Sequence, residues 1–267
     1  MELSNSTVRV RSHTPVSAWR WLTTLSILGN IGLNYWANAR PFNGQTMGMV
    51  SEQYPTLLTP AGYAFSIWGL IFLTLTIYAA WQLLPAQRQT SLPDAIARPL
   101  TLASVATALW VVLFAYELIE MSVVTMLVIL LALMLTYGRV RRYVQARKVP
   151  RWVSVPFSLY LGWISVATVI NVTIGLRELG VQTDLNISVL LTLLLLAVVV
   201  GLALTISNVF RDLVYPAVVV WALVAIWAAQ RMEYPELGWA ALGGAVVVLA
   251  GSIGLALRKS RRRGSQS

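Results

Sequence analysis

Eight stretches of the chain are apolar almost throughout, at roughly 19–37, 60–84, 98–117, 121–138, 153–176, 186–208, 213–230 and 237–257. A helix needs about 20 such residues to cross the hydrocarbon of a bilayer. No water-soluble core could hold this much continuous apolar sequence. The pattern predicts an all-α, polytopic membrane helical bundle with about eight transmembrane helices.

The breaks between the stretches give the organisation. The longest is "ARPFNGQTMGMVSEQYPTLLTP", starting at Ala39, with a turn signal at Asn43-Gly44 and an extended Tyr54-Pro55. Thr59 and Pro60 read as the N-cap and first helical position of the second helix. The third and fourth helices are joined by little more than Glu117 to Met121, a tight antiparallel hairpin, and a basic loop at 139–152 follows. "RELGVQTDLN" is the best internal boundary. The expected layout is a tail at 1–18, five helices within 19–178, three further helices within 179–257 and a basic tail at 258–267.

Polar positions inside the apolar stretches are patterned. Asn30, Asn34 and Asn38 follow at i, i+4 steps and so share one face of the first helix. Lipid cannot satisfy an amide, so the face meets protein as interhelical glue, or lines a cavity; the end residue, Asn38, is read as solvated. Tyr160, Trp163, Ala167 and Asn171 share a face of the fifth helix: two aromatic plates, a small residue and an amide, suited either to ordinary packing or to a flat apolar ligand. Thr107, Trp110, Phe114 and Glu117 repeat the theme in the third, with Glu117 and Glu120 read as solvated interface carboxylates. In the second, Tyr63, Phe65, Trp68 and Phe72 cluster around Gly62 and Gly69. Of eleven tryptophans, Trp19, Trp21, Trp36, Trp152 and Trp239 read as interfacial anchors.

Composition narrows the chemistry. The chain is 57% hydrophobic and 11% charged, far below the roughly 25% charge of soluble domains. Of its 20 Lys and Arg residues, 17 fall on one side if alternate loops are assigned to opposite sides; Arg40, Arg177 and Arg231 fall on the other. That bias places both termini in the cytoplasm, in a membrane of the bacterial inner (plasma) type, with "RVRRYVQARK" and "RKSRRR" as anchors on anionic lipid rather than contacts to nucleic acid. There is no cysteine, and the single histidine, His13, lies in the N-terminal tail. No thiolate, metal cluster or nucleophile–base pair is therefore available in the bundle, and neither cofactor nor catalytic residue is expected. Arg9, Arg11 and Arg20 before an apolar run ending in "ANA" resemble a signal peptide, but Asn30 and Asn34 interrupt that run and its retention is expected.

Three segments carry a family resemblance. "PAGYAFSIWGLIF", with Trp68 and Phe72, "ALWVVLF", with Trp110 and Phe114, and "YLGWISVATVIN", with Tyr160, Trp163, Ala167, Thr168 and Asn171, are similar to the conserved segments of the TspO/MBR family, the translocator and tryptophan-rich sensory proteins. The resemblance covers roughly residues 19–178. It implies a five-helix bundle binding hydrophobic ligands, tetrapyrroles and sterols among them, in a pocket covered by the first loop. Carried over, the ligand site takes Asn34, Tyr63, Trp68, Trp110, Phe114, Tyr160, Trp163, Ala167 and Asn171, completed by the 39–59 loop. The chain departs from the pattern at Pro60-Ala61, where the family has a double proline, in the short Phe65-to-Trp68 spacing, and in the three additional helices. "VTIGLRE" lacks the tyrosine of the sterol-associated pattern.

The resulting expectation is a porphyrin-binding sensor or carrier embedded in the bilayer, with Arg40 or Arg177 pairing with ligand carboxylates. A transporter using all eight helices is the alternative. Ala240, Gly244, Ala250 and Gly254 in the last helix would permit a homodimer.

Overall fold

The protein, seen in a computed structural model, is described over residues 16–181 and 184–264, with side chains as far as Leu257. Arg9, Arg11, His13 and the side chains of the basic run from Arg258 lie outside the described residues. Among those described there are nine α-helices and no strand: α1 Ala18–Ala39, α2 Met47–Gln53, α3 Ile67–Leu83, α4 Leu92–Ala115, α5 Ile119–Gln145, α6 Val155–Glu178, α7 Leu185–Phe210, α8 Val214–Gln230 and α9 Pro235–Gly264. Six helical segments are long and apolar enough to cross a membrane: those built on α3, α4, α5, α6, α7 and α9. The other two expected spans correspond to α1, which carries Arg20 and three asparagines, and to α8, apolar but shorter at 17 residues.

Several boundaries differ from the sequence expectation, each for a physical reason. The second span does not begin at Pro60. Thr59 is not an N-cap: its hydroxyl accepts from the Thr56 N–H at 2.8 Å in a local turn. A 3₁₀ turn, Gly62–Ser66, then leads into α3. α4 starts early, at Leu92, with Pro93 and Asp94 in its first turn, positions that suit a missing N–H and a negative charge. It also carries Pro99 internally. A helical proline leaves the carbonyl four residues back without its donor; here Ala95 O accepts from Arg139 Nη1 at 2.6 Å instead. α5 runs to Gln145 and absorbs much of the expected basic loop.

Helices α1, α3, α4, α5 and α6 form one bundle, with α1 against α3 and α4, and α6 against α3 and α5. α8 packs directly on α6, and α7 and α9 pack on α8. The α6–α8 approach is close at Gly162, where a Cβ would stand 2.9 Å from Val218 Cβ. Gly244 and Gly251 of α9 do the same for Val200 and Leu204 of α7, at 3.0 and 2.6 Å. Gly244 is thus used inside the chain, whereas Gly254 has nothing within 4 Å. Trp19, Trp21, Trp36, Trp152 and Trp239 are all exposed, as anchors require.

Candidate functional site

The two ends of the bundle are closed differently. At the end that carries the basic loops, buried arginines paired with aspartates do the closing. Arg20 is 2% exposed. It meets Asp94 through Nε–Oδ1 at 3.1 Å and Nη2–Oδ2 at 2.5 Å, and donates to the carbonyls of Gln87 and Thr90, each at 2.8 Å. Arg141, 6% exposed, donates to Ser154 Oγ at 2.8 Å and to the carbonyls of Phe210 and Arg211. Beside it, at 3.9 Å, Asp212 accepts from Tyr137 at 2.8 Å, Ser158 at 2.5 Å and the Val214 N–H at 2.8 Å. Arg20 and Arg141 are therefore structural cations, and Arg141 is not the headgroup anchor that the charge pattern suggested. A lone charge at this depth is costly, so each is paired and hydrogen-bonded.

At the opposite end lies the aromatic cavity. Trp110 and Phe114 of α4 stack with centroids 4.8 Å apart and planes 16° from parallel. Across from them are Trp163, Ala167, Asn171 and Ile174 of α6, and Phe65 meets Trp163 edge-on at 5.8 Å. They line a half-open cavity of about 40 Å³. Asn171 and Ser51 are its buried polar lining residues. The Ser122 hydroxyl donates to Ile119 O at 2.7 Å, which leaves its oxygen to accept from Asn171 Nδ2 at 3.1 Å. Asn171 Oδ1 then accepts from Trp110 Nε1 at 3.4 Å, so the amide orients the indole.

The segment 45–64 straps this end shut. Helix α2 starts at the N-cap Thr46 and brings Ser51 to the cavity, while Pro60 closes one side. Glu117, in the left-handed region at φ 57°, accepts from Gln45 at 3.2 Å and Tyr54 at 2.9 Å, so it fixes the strap rather than sitting solvated. Burial, and secondarily Glu117, pushes the Tyr54 phenol up to about 12. Arg177 donates to Pro55 O, and Arg40 lies over the Trp36 ring at 5.2 Å. Each arginine thus has a partner within the chain. α8 holds the rest. The Ala61 N–H donates to Ala225 O at 3.0 Å, Trp221 Nε1 to Ala64 O at 3.2 Å, and Gln230 Nε2 to the carbonyls of Thr56 and Thr59 at 3.4 Å.

Of the nine site residues expected from sequence, Trp110, Phe114, Trp163, Ala167 and Asn171 line the cavity. Four do not. Tyr160 is fully buried, shares a hydrogen bond with Thr107 and meets Trp68 edge-on at 5.8 Å. Trp68 packs on Phe72 at 5.2 Å, and Tyr63 lies outside on Trp221 at 5.3 Å. Asn34 donates to the Asn30 carbonyl and Oδ1, both at 2.9 Å, and Asn38 to Asn34 O at 3.0 Å. These bonds run along α1 itself rather than between helices or to a cavity. The sequence reading missed Pro60, Phe65, Ile170 and Ile174, and reached Ser51 only as part of the 39–59 loop. Continuing the α6 face by three residues from each of Ala167 and Asn171 would have found both isoleucines; singling out Ser51 within its loop depends on α2, a helix with no apolar periodicity to announce it.

A family model described as TSPO-like protein matches residues 20–254. The match runs beyond the segments that carry the resemblance, through α7 and α8 and into α9. No curated protein and no solved structure matches the chain.

Proposed function

Because the chain belongs to the TSPO-like protein family and is an integral membrane protein, we propose that it binds a flat hydrophobic ligand of the tetrapyrrole class between α4 and α6, as sensor or carrier. The observation that carries this reading is the stacked Trp110–Phe114 pair facing Trp163 across a cavity with one buried amide, beneath a strap held by hydrogen bonds. Planar π-surfaces suit a conjugated ring, and the amide supplies an orienting contact.

The cavity also sets a mechanism. About 40 Å³ holds only a few waters, against roughly 300–1,000 Å³ for occupied ligand sites. Ligand entry must part Trp163 from the Trp110–Phe114 stack, and the strap must yield, since Ser51 and Pro60 form part of the wall. Binding and release of the strap are thereby one event, a way for occupancy to be signalled. With the termini in the cytoplasm, as the charge bias requires, the strap faces the other side.

Transport through all the helices is the competing reading. The buried carboxylate that bears on it, Asp212, accepts from Tyr137, Ser158 and the Val214 N–H at the α7–α8 turn. That arrangement suits a structural latch at one end of the bundle better than an ion site at mid-depth.

The test is a titration of purified protein with protoporphyrin, following tryptophan quenching, beside a Trp163→Leu/Asn171→Leu double variant whose helicity is checked. Saturable quenching lost in the folded double variant supports the site. Equal quenching in both proteins, or none in either, removes it.

A further inference from the structure

On the other flank of α6 a second cavity of about 10 Å³ lies between α6, α7 and α8. Val166 and Val169 of α6, Leu196 and Val199 of α7, Leu223 of α8 and Leu58 of the strap contribute to its wall. Every lining side chain is aliphatic, in contrast to the aromatic rings and amide of the first cavity. No hydrogen-bonding side chain and no aromatic plate faces it, so it suits only saturated hydrocarbon.

Two features join the cavities. Ile170 lines both, standing as the partition between them. The strap covers both as well: Ser51 and Pro60 close the first, Leu58 the second. Gln230 holds the carbonyls of Thr56 and Thr59, on either side of Leu58. Release of one cover therefore releases the other. The α7 wall is also the more movable one, because α7 packs chiefly on α8 and α9 and few of its residues are buried.

Resting on the binding reading above, we infer that the two cavities are one bipartite site for an amphiphile with a planar conjugated head and a flexible hydrocarbon chain. The head lies between Trp163 and the Trp110–Phe114 pair, and the chain passes Ile170 into the seam between α6, α7 and α8. A bilayer solvates hydrocarbon as well as aliphatic side chains do. The chain compartment thus contributes selectivity through packing rather than a large gain in affinity, and it gives the ligand a lateral path from the lipid.

The experiment uses the full chain in nanodiscs and two probes, the methyl and dodecyl esters of anthracene-9-carboxylic acid, with energy transfer from tryptophan as readout. Partition of each probe into the lipid is common to all variants, so comparing variants cancels it. Val199→Phe fills the aliphatic compartment, and Ile170→Ala opens the partition. The expected result is unchanged methyl ester binding in Val199→Phe, with dodecyl ester binding weakened roughly tenfold, the scale of a methylene-sized change in a hydrophobic pocket. In Ile170→Ala the preference for dodecyl over methyl ester rises. An ester preference equal in all three proteins overturns the bipartite site while leaving head binding intact. If Val199→Phe does not fold, an unchanged preference in Ile170→Ala overturns it alone. Transfer from both esters that rises with probe in the folded wild-type protein without saturating, as partition alone gives, removes the binding reading and this inference together.

Discussion

The two ends of this bundle solve the same problem with opposite chemistry. At the basic end, Arg20–Asp94 ties α1 to the start of α4, and Arg141 with Asp212 ties α5 and α6 to the α7–α8 turn. At the strap end the charged groups used, Glu117 and Arg177, are part-exposed or exposed, and the bonds to α8 are all neutral. The difference teaches where motion is affordable. Separating a buried charge from its partners costs several kcal/mol, whereas a neutral hydrogen bond contributes about 0.5–1.5 kcal/mol and water can replace it at a bundle end. One end is a clamp and the other a door.

The largest effect expected from breaking this contrast is that of Asp212→Ala. It leaves Arg141 buried without its counter-charge and should lower stability by about 3–5 kcal/mol, read as loss of thermal or denaturant stability in detergent. A stability unchanged by this variant would show that the basic end is not a clamp. Next comes Gly162→Ala, whose Cβ would meet Val218 at 2.9 Å. Forcing α6 and α8 apart should cost roughly 1–3 kcal/mol and weaken the strap as well, since α8 carries its hydrogen-bond partners; faster amide exchange at 56–64 is the check.

Ala167→Leu sharpens the comparison at the strap end. It fills cavity space without touching a charged group, so stability should move by less than about 1.5 kcal/mol while protoporphyrin affinity falls by roughly tenfold or more. A matching loss of stability and affinity would mean that the cavity is merely core. Tyr54→Phe should act least, removing one hydrogen bond worth about 1 kcal/mol and raising exchange in 45–54. The Tyr54 proton adds a pH signature. Its folded pKa is raised from 10.0 to about 12, so its contribution is fully present below pH 10 and fades as pH rises through about 12. Tyrosinate absorbance, taken as the difference between wild type and Tyr54→Phe, measures it.

Much of the aromatic site was legible because it is helical and local. Trp110 and Phe114 are four residues apart, and Trp163, Ala167 and Asn171 step by four, so each set was bound to share a face. Which faces would meet was not local. Tyr160 lies on the same α6 face as Trp163, yet one turn of depth sends it to Thr107 and Trp68 instead of the cavity. The asparagine row of α1 was read correctly as a shared face, but its amides bond along their own helix. Phe65 escaped notice as a wall residue because the 3₁₀ turn at Gly62–Ser66 re-aims it, and no periodicity signals such a turn.

The charges show the same division. Arginine count and spacing along the chain give sidedness, but they cannot separate an arginine on headgroups from one enclosed by Ser154 and the carbonyls of Phe210 and Arg211. Apolar length and polar periodicity alone determined that this is a helical membrane protein with aromatic faces on its third and fifth spans, since bilayer thickness and the 3.6-residue turn act on each segment separately. Only tertiary structure decided that α8 belongs against α6, that Asp212 answers Arg141, and that the strap closes on α8. Those facts depend on groups far apart in sequence finding one another, and their bonds leave no mark on either partner's own stretch of chain.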